Sequence, residues 1–197
     1  MADKGNTKEY DPLVNYHEIP GVTPEMIDWF WDNMEKAYYL WAPDEHVSFT
    51  WEIPPSQNGH VGAIHIVREV EPPMPEKTLR MRFETPKVCP IPLIYSHAVV
   101  IGRLAPDAPA VGGEPISYTI HEYEATPDGT RMRSSFMLEK GWTAQAREAL
   151  SNHNTREATG FSRFLPQLYT LYQVIKNPAI NVQCSLKYDP ETLEYTM

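Results

Sequence analysis

The sequence predicts an α+β fold, a curved antiparallel sheet of about six strands wrapped around one long C-terminal helix. Three observations carry this. Between Val47 and Leu138 apolar residues alternate with polar ones in short runs separated by turn residues, the period of half-buried strands. From Thr143 to Tyr172 the apolar period becomes helical. A run of strands followed by a helix, with no βαβ alternation, is the order of α+β proteins with antiparallel sheets. The 197 residues suffice for one domain with room for an internal pocket between sheet and helix.

The elements follow in order. Residues 1–20 lack periodicity and are expected to form an extended N-terminal arm ahead of a single domain over residues 21–197. Thr23-Pro24-Glu25 starts a helix, with a hydroxyl cap, proline at the first helical position and an acid in the first turn. Its core face carries Ile27, Phe30, Trp31 and Met34 and runs to about Tyr39; Trp29 falls off that face and is free to line a pocket or a partner surface. Strands are expected at Val47–Ile53, Val61–Val70, Leu79–Phe83, Leu93–Ile101, Ile116–Glu124 and Arg131–Leu138, the last two joined by the tight turn Pro127-Asp128-Gly129. Gly141-Trp142-Thr143 opens the long helix, which Pro166 is expected to kink or split. Asn177-Pro178 ends the helical region, and a polar tail follows.

Composition excludes several classes. The net charge is −9, with no basic run and no Lys/Arg patch interleaved with aromatics, which argues against nucleic acid and anionic membrane surfaces. No apolar run approaches a membrane span, and the N-terminus is polar, unlike a secretory signal. Cys89 and Cys184 fit no zinc spacing and read as reduced thiols of a cytoplasmic protein, with a single disulfide as the other reading. The sequence contains no Gly-rich phosphate loop, no G-x-S-x-G and no H-E-x-x-H.

The long helix holds the chemical signal. Its seam reads Ala146, Leu150, His153, Glu157, Phe161, Phe164, Leu168. His153 and Glu157 lie one turn apart, flanked by Leu150 and Phe161, so both side chains project toward one point on a buried face. A carboxylate buried there needs a cationic partner. Two readings are open: a salt bridge with no chemistry, or a divalent metal held by imidazole nitrogen and carboxylate oxygen. Further donors could come from His46, His65, His97 and His121, and from Glu52, Glu69, Glu71 and Glu122. His65 and Glu69 share a strand face but lie about 13 Å apart at roughly 3.3 Å per residue, so they do not bind one ion. Spacing alone does not choose among the rest: His46 could be a surface histidine beside Asp44 and Glu45, and Glu69 could bridge to Arg68 or Arg80.

Five segments in order, TPEMIDWFWDNM, YYLWAPDEHVSFTWE, VGAIHIVREVE, HEYEATPDGTRMRSSFML and HNTREATGFSRFLPQLY, together resemble the diacetylphloroglucinol hydrolase family, which includes phloretin hydrolase. The resemblance covers roughly residues 20 to 175. It implies a helix-grip fold, START-like and similar to the birch-pollen allergen. It also implies zinc-dependent hydrolysis of the carbon–carbon bond between an acyl group and a phenolic ring or β-diketone carbon. By that resemblance the zinc ligands are His46, Glu69, His153 and Glu157, with Glu71 as the alternative to Glu69. Another divalent metal could replace zinc. Tyr38 is the first candidate to hold the substrate, followed by His97, Tyr118, His121 and Tyr123; for each, a hydrogen-bonded core residue is the competing reading. The implied partner is a small phenolic or β-diketone molecule, and homodimer formation stays open. This chain looks shorter than the typical hydrolase, mostly before the first helix and in the loops, which would change the substrate that fits. Two other functions stay in view: a metal-dependent isomerase or cyclase of a polyketide-like or β-dicarbonyl secondary metabolite, and a metal-free carrier of apolar ligands.

Overall fold

A computed structural model describes residues 9–196. Seven strands form one antiparallel sheet in the order β1-β7-β6-β5-β4-β3-β2. In chain order these are β1 (Tyr10–Pro20), β2 (His46–Ile53), β3 (Ile64–Glu69), β4 (Lys77–Glu84), β5 (His97–Leu104), β6 (Ser117–Thr126) and β7 (Gly129–Glu139). Helix α1 (Pro24–Asp32) and a short α2 (Tyr38–Trp41) separate β1 from β2. A single turn, α3 (Pro55–Asn58), lies between β2 and β3, and α4 (Ala144–Tyr172) follows the sheet. Among the described residues no helix is long and apolar enough to cross a membrane. Cys89 and Cys184 are both free thiols.

The strand expected near each alternating run is present, within a few residues at its ends. The first strand departs from expectation. Tyr10–Pro20, expected as part of an extended arm and not as a strand of the sheet, pairs along its whole length with β7, from Tyr10 opposite Glu139 to Pro20 opposite Gly129; residues 1–8 of that arm lie outside the described residues. It escaped a periodicity reading because the middle of its inward face, Asn15 and His17 between Leu13 and Ile19, is polar. Asn15 donates to Asn154 (3.1 Å) and accepts from Ser151 (2.9 Å), His17 pairs with Asn154 (2.8 Å), and Ser162 donates to the Pro20 carbonyl (2.8 Å).

Helix α1 is shorter than expected, giving way at Asn33 to a 3₁₀ turn over Met34–Lys36 before α2. Asn33 is fully buried, and its amide donates to the carbonyls of Trp29 (2.7 Å) and Val182 (2.8 Å). That side chain competes with helix continuation and ties α1 to the C-terminal segment. Trp29 lies under that segment, its indole donating to Asn181 (2.6 Å), while Trp31, expected in the core, reaches the interior cavity. The expected polar tail folds back onto β5: Leu186 is fully buried, and its carbonyl accepts from the Ala98 amide (3.0 Å).

Helix α4 runs unbroken through Pro166. The proline forfeits one intrahelical bond, but Phe161 and Leu165, both fully buried, anchor the turn before it. The predicted seam holds from Ala146 to Phe161; beyond it Leu165 is the buried position, with Phe164 and Leu168 half-buried. Phe30, Trp31, Trp41 and Phe161 form a block of edge-on and tilted rings where α1, α2 and α4 meet. Gly160 makes this approach possible, because a Cβ there would overlap the Trp41 carbonyl oxygen.

Candidate metal centre

The cavity between the sheet's concave face and α4 gathers four donors. Strand pairing supplies two: His46 opens β2 directly opposite Glu69, the last residue of β3. The buried face of α4 supplies His153 and Glu157. His46, Glu69 and His153 each offer a ligand atom within 4.8 Å of the others. Glu157 Oε1 lies 3.3 Å from His46 Nε2 and 3.4 Å from His153 Nε2, and Glu69 Oε2 lies 4.0 Å from His153 Nε2. All four residues are less than a tenth exposed.

Their outer atoms are already spoken for. His46 Nδ1 lies 2.7 Å from the Tyr38 carbonyl, so it is the protonated nitrogen and Nε2 is left with its lone pair facing inward. His153 Nδ1 likewise donates to Glu45 Oε2 (2.7 Å), and Glu45 is held in turn by Arg156. The Tyr38 hydroxyl donates to Glu69 Oε1 (2.7 Å), and its ring stacks on His46 at 4.0 Å. Imidazoles oriented through their far nitrogens by a carbonyl and a carboxylate are the usual surroundings of metal ligands.

One inner atom is left unsatisfied. His46 Nε2 is buried and has no hydrogen-bond partner among the described residues. Two neutral imidazoles and two carboxylates carry a formal charge of −2, which a divalent cation would cancel. Without one, a proton serves. Burial alone would lower the His153 pKa, but the Glu157 charge and hydrogen bond, then Glu69, outweigh it and push it up to about 10. Burial would raise the Glu157 pKa, yet His153 and His46 hold it far below the usual carboxylate range. The donor set therefore fits a divalent ion with nitrogen and oxygen preference.

The residues that the sequence left as alternatives have partners of their own. Glu71 is bound to Lys77, while Arg68 and Arg80 are engaged by Glu76 and Glu52, so neither arginine bridges to Glu69. Glu122 accepts from Arg133 and the Tyr95 amide, away from the cavity.

Of the five substrate-contact candidates, Tyr38, Tyr118 and His121 line the cavity. Burial, then Glu69, raises the Tyr38 pKa far above the phenol range, so this hydroxyl remains a donor. Burial lowers His121 to about 4 despite the nearby Glu157, leaving a neutral imidazole that shares a hydrogen bond with Ser134 Oγ (2.8 Å) and stacks on Trp31. His97 and Tyr123 are not brought there. They pair with Asp28 of α1, His97 Nδ1 at 3.0 Å and the Tyr123 hydroxyl at 2.7 Å, in a buried cluster that joins helix to sheet. Tyr118 borders the cavity, but it shares the outer face with Ile120 and packs against Val100, Ile120 and Met137. Residue type marked all five as chemically able; position along β5 and β6 keeps His97 and Tyr123 from the cavity.

Glu45 and Arg156 were not anticipated. Arg156 stands three residues after His153 and so beside it on α4, a signal the sequence contains; nothing local foretold that Glu45 would turn inward to meet both.

The family model described as DAPG hydrolase PhiG domain matches residues 13–170. No curated protein matches the chain. Among solved structures, the KanY protein superposes with a TM-score of 0.57 at 5% identity, over 80% of this chain and 99% of that one. Ara h 8.0201 gives 0.55 at 11% identity, over 81% and 99%. Protein Ms6760 from Mycobacterium smegmatis gives 0.51 at 12%, over 80% and 94%. At such identities the likeness concerns the fold, which is the helix grip.

Proposed function

This chain belongs to the DAPG hydrolase family, and on that premise we propose that it is a metal-dependent hydrolase cleaving the bond between an acyl carbon and a phenolic ring carbon. One observation supports the metal more than any other: two oriented imidazoles and two carboxylates converge on one buried point, leaving His46 Nε2 without a hydrogen-bond partner among the described residues.

In the proposed reaction water adds across the acyl–aryl bond. Its hydroxyl ends on the acyl carbon, giving a carboxylic acid, and its proton ends on the ring carbon, giving the deacylated phenol. His46, Glu69, His153 and Glu157 would hold the ion. A bound zinc ion supplies Lewis-acid polarisation of the acyl carbonyl and makes water acidic enough to attack near neutral pH.

The chain's own groups do the rest. As the ring carbon departs, negative charge spreads onto the ring oxygens, which need donors that keep their protons. The Tyr38 hydroxyl keeps its proton and gives it to Glu69 Oε1 here; it would serve by turning that proton to a ring oxygen once Glu69 holds the ion. His121 offers a neutral imidazole held by Ser134 and by the Trp31 face. The two carboxylates temper the ion's charge, so donors of this kind carry more of the stabilisation. Trp31, Leu79, Met81 and Phe136 line the remaining wall and exclude bulk water from an aromatic substrate.

The test is incubation of purified protein with mono- and diacetylphloroglucinol, with and without chelator. Acetate and deacylated phenol should appear only with metal. Products of unchanged mass would replace hydrolysis with isomerisation or cyclisation. Tight binding of the intact compounds by metal-free protein, with no turnover after metal is restored, would leave a carrier.

A further inference from the structure

The cavity holds a cation that no described residue neutralises. Arg103 of β5 is half-buried, lines the cavity and has no carboxylate or hydrogen-bond acceptor for its side chain among the described residues. Every other described arginine except the exposed Arg163 faces a carboxylate. The cavity's lysine, Lys77, is taken by Glu71. Leaving a guanidinium partly desolvated and unpaired is costly, so such a group marks where a ligand supplies the missing charge.

Its neighbours point the same way. Alternation along β5 puts Arg103 on the face of Val99 and Ile101, the concave core face. The sheet register sets it between Met81 of β4 and Ser117 of β6, and both line the cavity. Thr119, two residues beyond Ser117, also lines it, and neither hydroxyl has a hydrogen-bond partner among the described residues. One wall thus carries a guanidinium and two hydroxyls, all uncommitted among the described residues, in the cavity that Glu69 and Glu157 also line. A planar fork with adjacent hydroxyl donors matches a carboxylate.

We propose that Arg103, with Ser117 and Thr119, forms a carboxylate subsite, so that the preferred substrate is an acylphenol bearing a carboxylate on its ring or on its acyl chain. This rests on the reading of the cavity as the substrate site and narrows the substrate class. Arg103 is then a specificity-determining residue and takes no part in the bond cleavage.

Zinc-loaded protein is titrated with three probes: acetylphloroglucinol, its ring-carboxylated analogue, and succinylphloroglucinol, whose acyl chain ends in a carboxylate. Quenching of tryptophan fluorescence reads the binding, since Trp31 and Trp142 line the cavity. One carboxylated probe should bind at least about tenfold more tightly than the neutral one, the usual effect of a hydrogen-bonded charge pair. Arg103→Gln should abolish that preference and leave neutral-probe binding within about twofold, while Arg103→Lys should keep part of it; zinc content and melting temperature confirm folding. Should the glutamine variant not fold, the wild-type preference and the lysine variant decide. No preference in wild type, a preference that survives Arg103→Gln, or no binding of any probe overturns the subsite. Acid release is followed separately. A carboxylate preference without hydrolysis sustains the subsite and sinks the hydrolase reading; hydrolysis of the neutral probe without preference does the reverse.

Discussion

Replacing Glu45 by glutamine tests whether the metal centre depends on its outer support. In the native chain Glu45 Oε2 accepts from His153 Nδ1 at 2.7 Å, and its other oxygen is fixed by Arg156. Arg156 and the His153 hydrogen bond overcome burial to keep the Glu45 pKa below the ordinary carboxylate value, so it remains an anion across the neutral range. Glutamine retains the shape and one acceptor oxygen but not the charge. His153 then loses the partner that fixes its tautomer and strengthens Nε2 as a donor. Loss of such a partner costs about 10- to 100-fold in metal affinity, or roughly 1.4–2.7 kcal/mol. Competition against a zinc chelator of known affinity measures this directly, with circular dichroism confirming the fold. Arg156→Gln should weaken zinc less, because its side chain is half in solvent and Glu45 still reaches His153 without it. Unchanged zinc affinity in Glu45→Gln would refute the reasoning.

Three further expectations follow from particular contacts. Gly160→Ala sets a methyl against the Trp41 carbonyl oxygen, and backbone cannot rotate away; overpacking of about 1–3 kcal/mol should exceed the helix preference of about 1 kcal/mol gained from alanine, and urea midpoints should show a net loss together with weaker zinc binding. Tyr38→Phe removes the donor on Glu69 and should lower turnover by about 10²- to 10³-fold with zinc retained, as single-turnover rates and metal content will tell; full activity would remove Tyr38 from the chemistry. His65 and His121 are buried neutral, with pKa values lowered by burial to about 3 and about 4. Unfolded imidazoles take up protons below about 6.5 and these folded ones do not, so stability is full above that pH and falls as pH drops toward 4, by up to about 1.4 kcal/mol per unit for each group. In chelator, His65→Phe, placed among Phe49, Trp51 and Phe83, should flatten that slope; an unchanged slope would contradict it.

The sequence revealed most where one physical pattern dominates. The α4 seam was legible because a buried helix face must repeat at helical spacing, and His153 and Glu157 stood out as violations of it. The inner strands were legible from alternation. β1 was not, because Asn15 and His17 interrupt its inward row between Leu13 and Ile19, and an edge strand needs no apolar outer face. That Glu69 and not Glu71 stands opposite His46 depends on the pairing of β2 with β3, a register that bulges at His46/Ser48 and Trp51/Ile53 make hard to count from sequence. His97 and Tyr123 were candidates by residue type. Their place toward the other ends of β5 and β6, where α1 brings Asp28, is a long-range fact. Arg103 gave no local sign at all, since its lack of a side-chain partner among the described residues is a property of the folded neighbourhood.

Zinc stoichiometry after exhaustive dialysis is the most direct measurement of the central claim that four convergent side chains bind a divalent ion. The wild type should hold one zinc per chain with tight affinity, and His46→Ala, His153→Ala and Glu157→Gln should each hold little while remaining folded. A wild type that binds no stoichiometric metal, or variants that keep theirs, would contradict it.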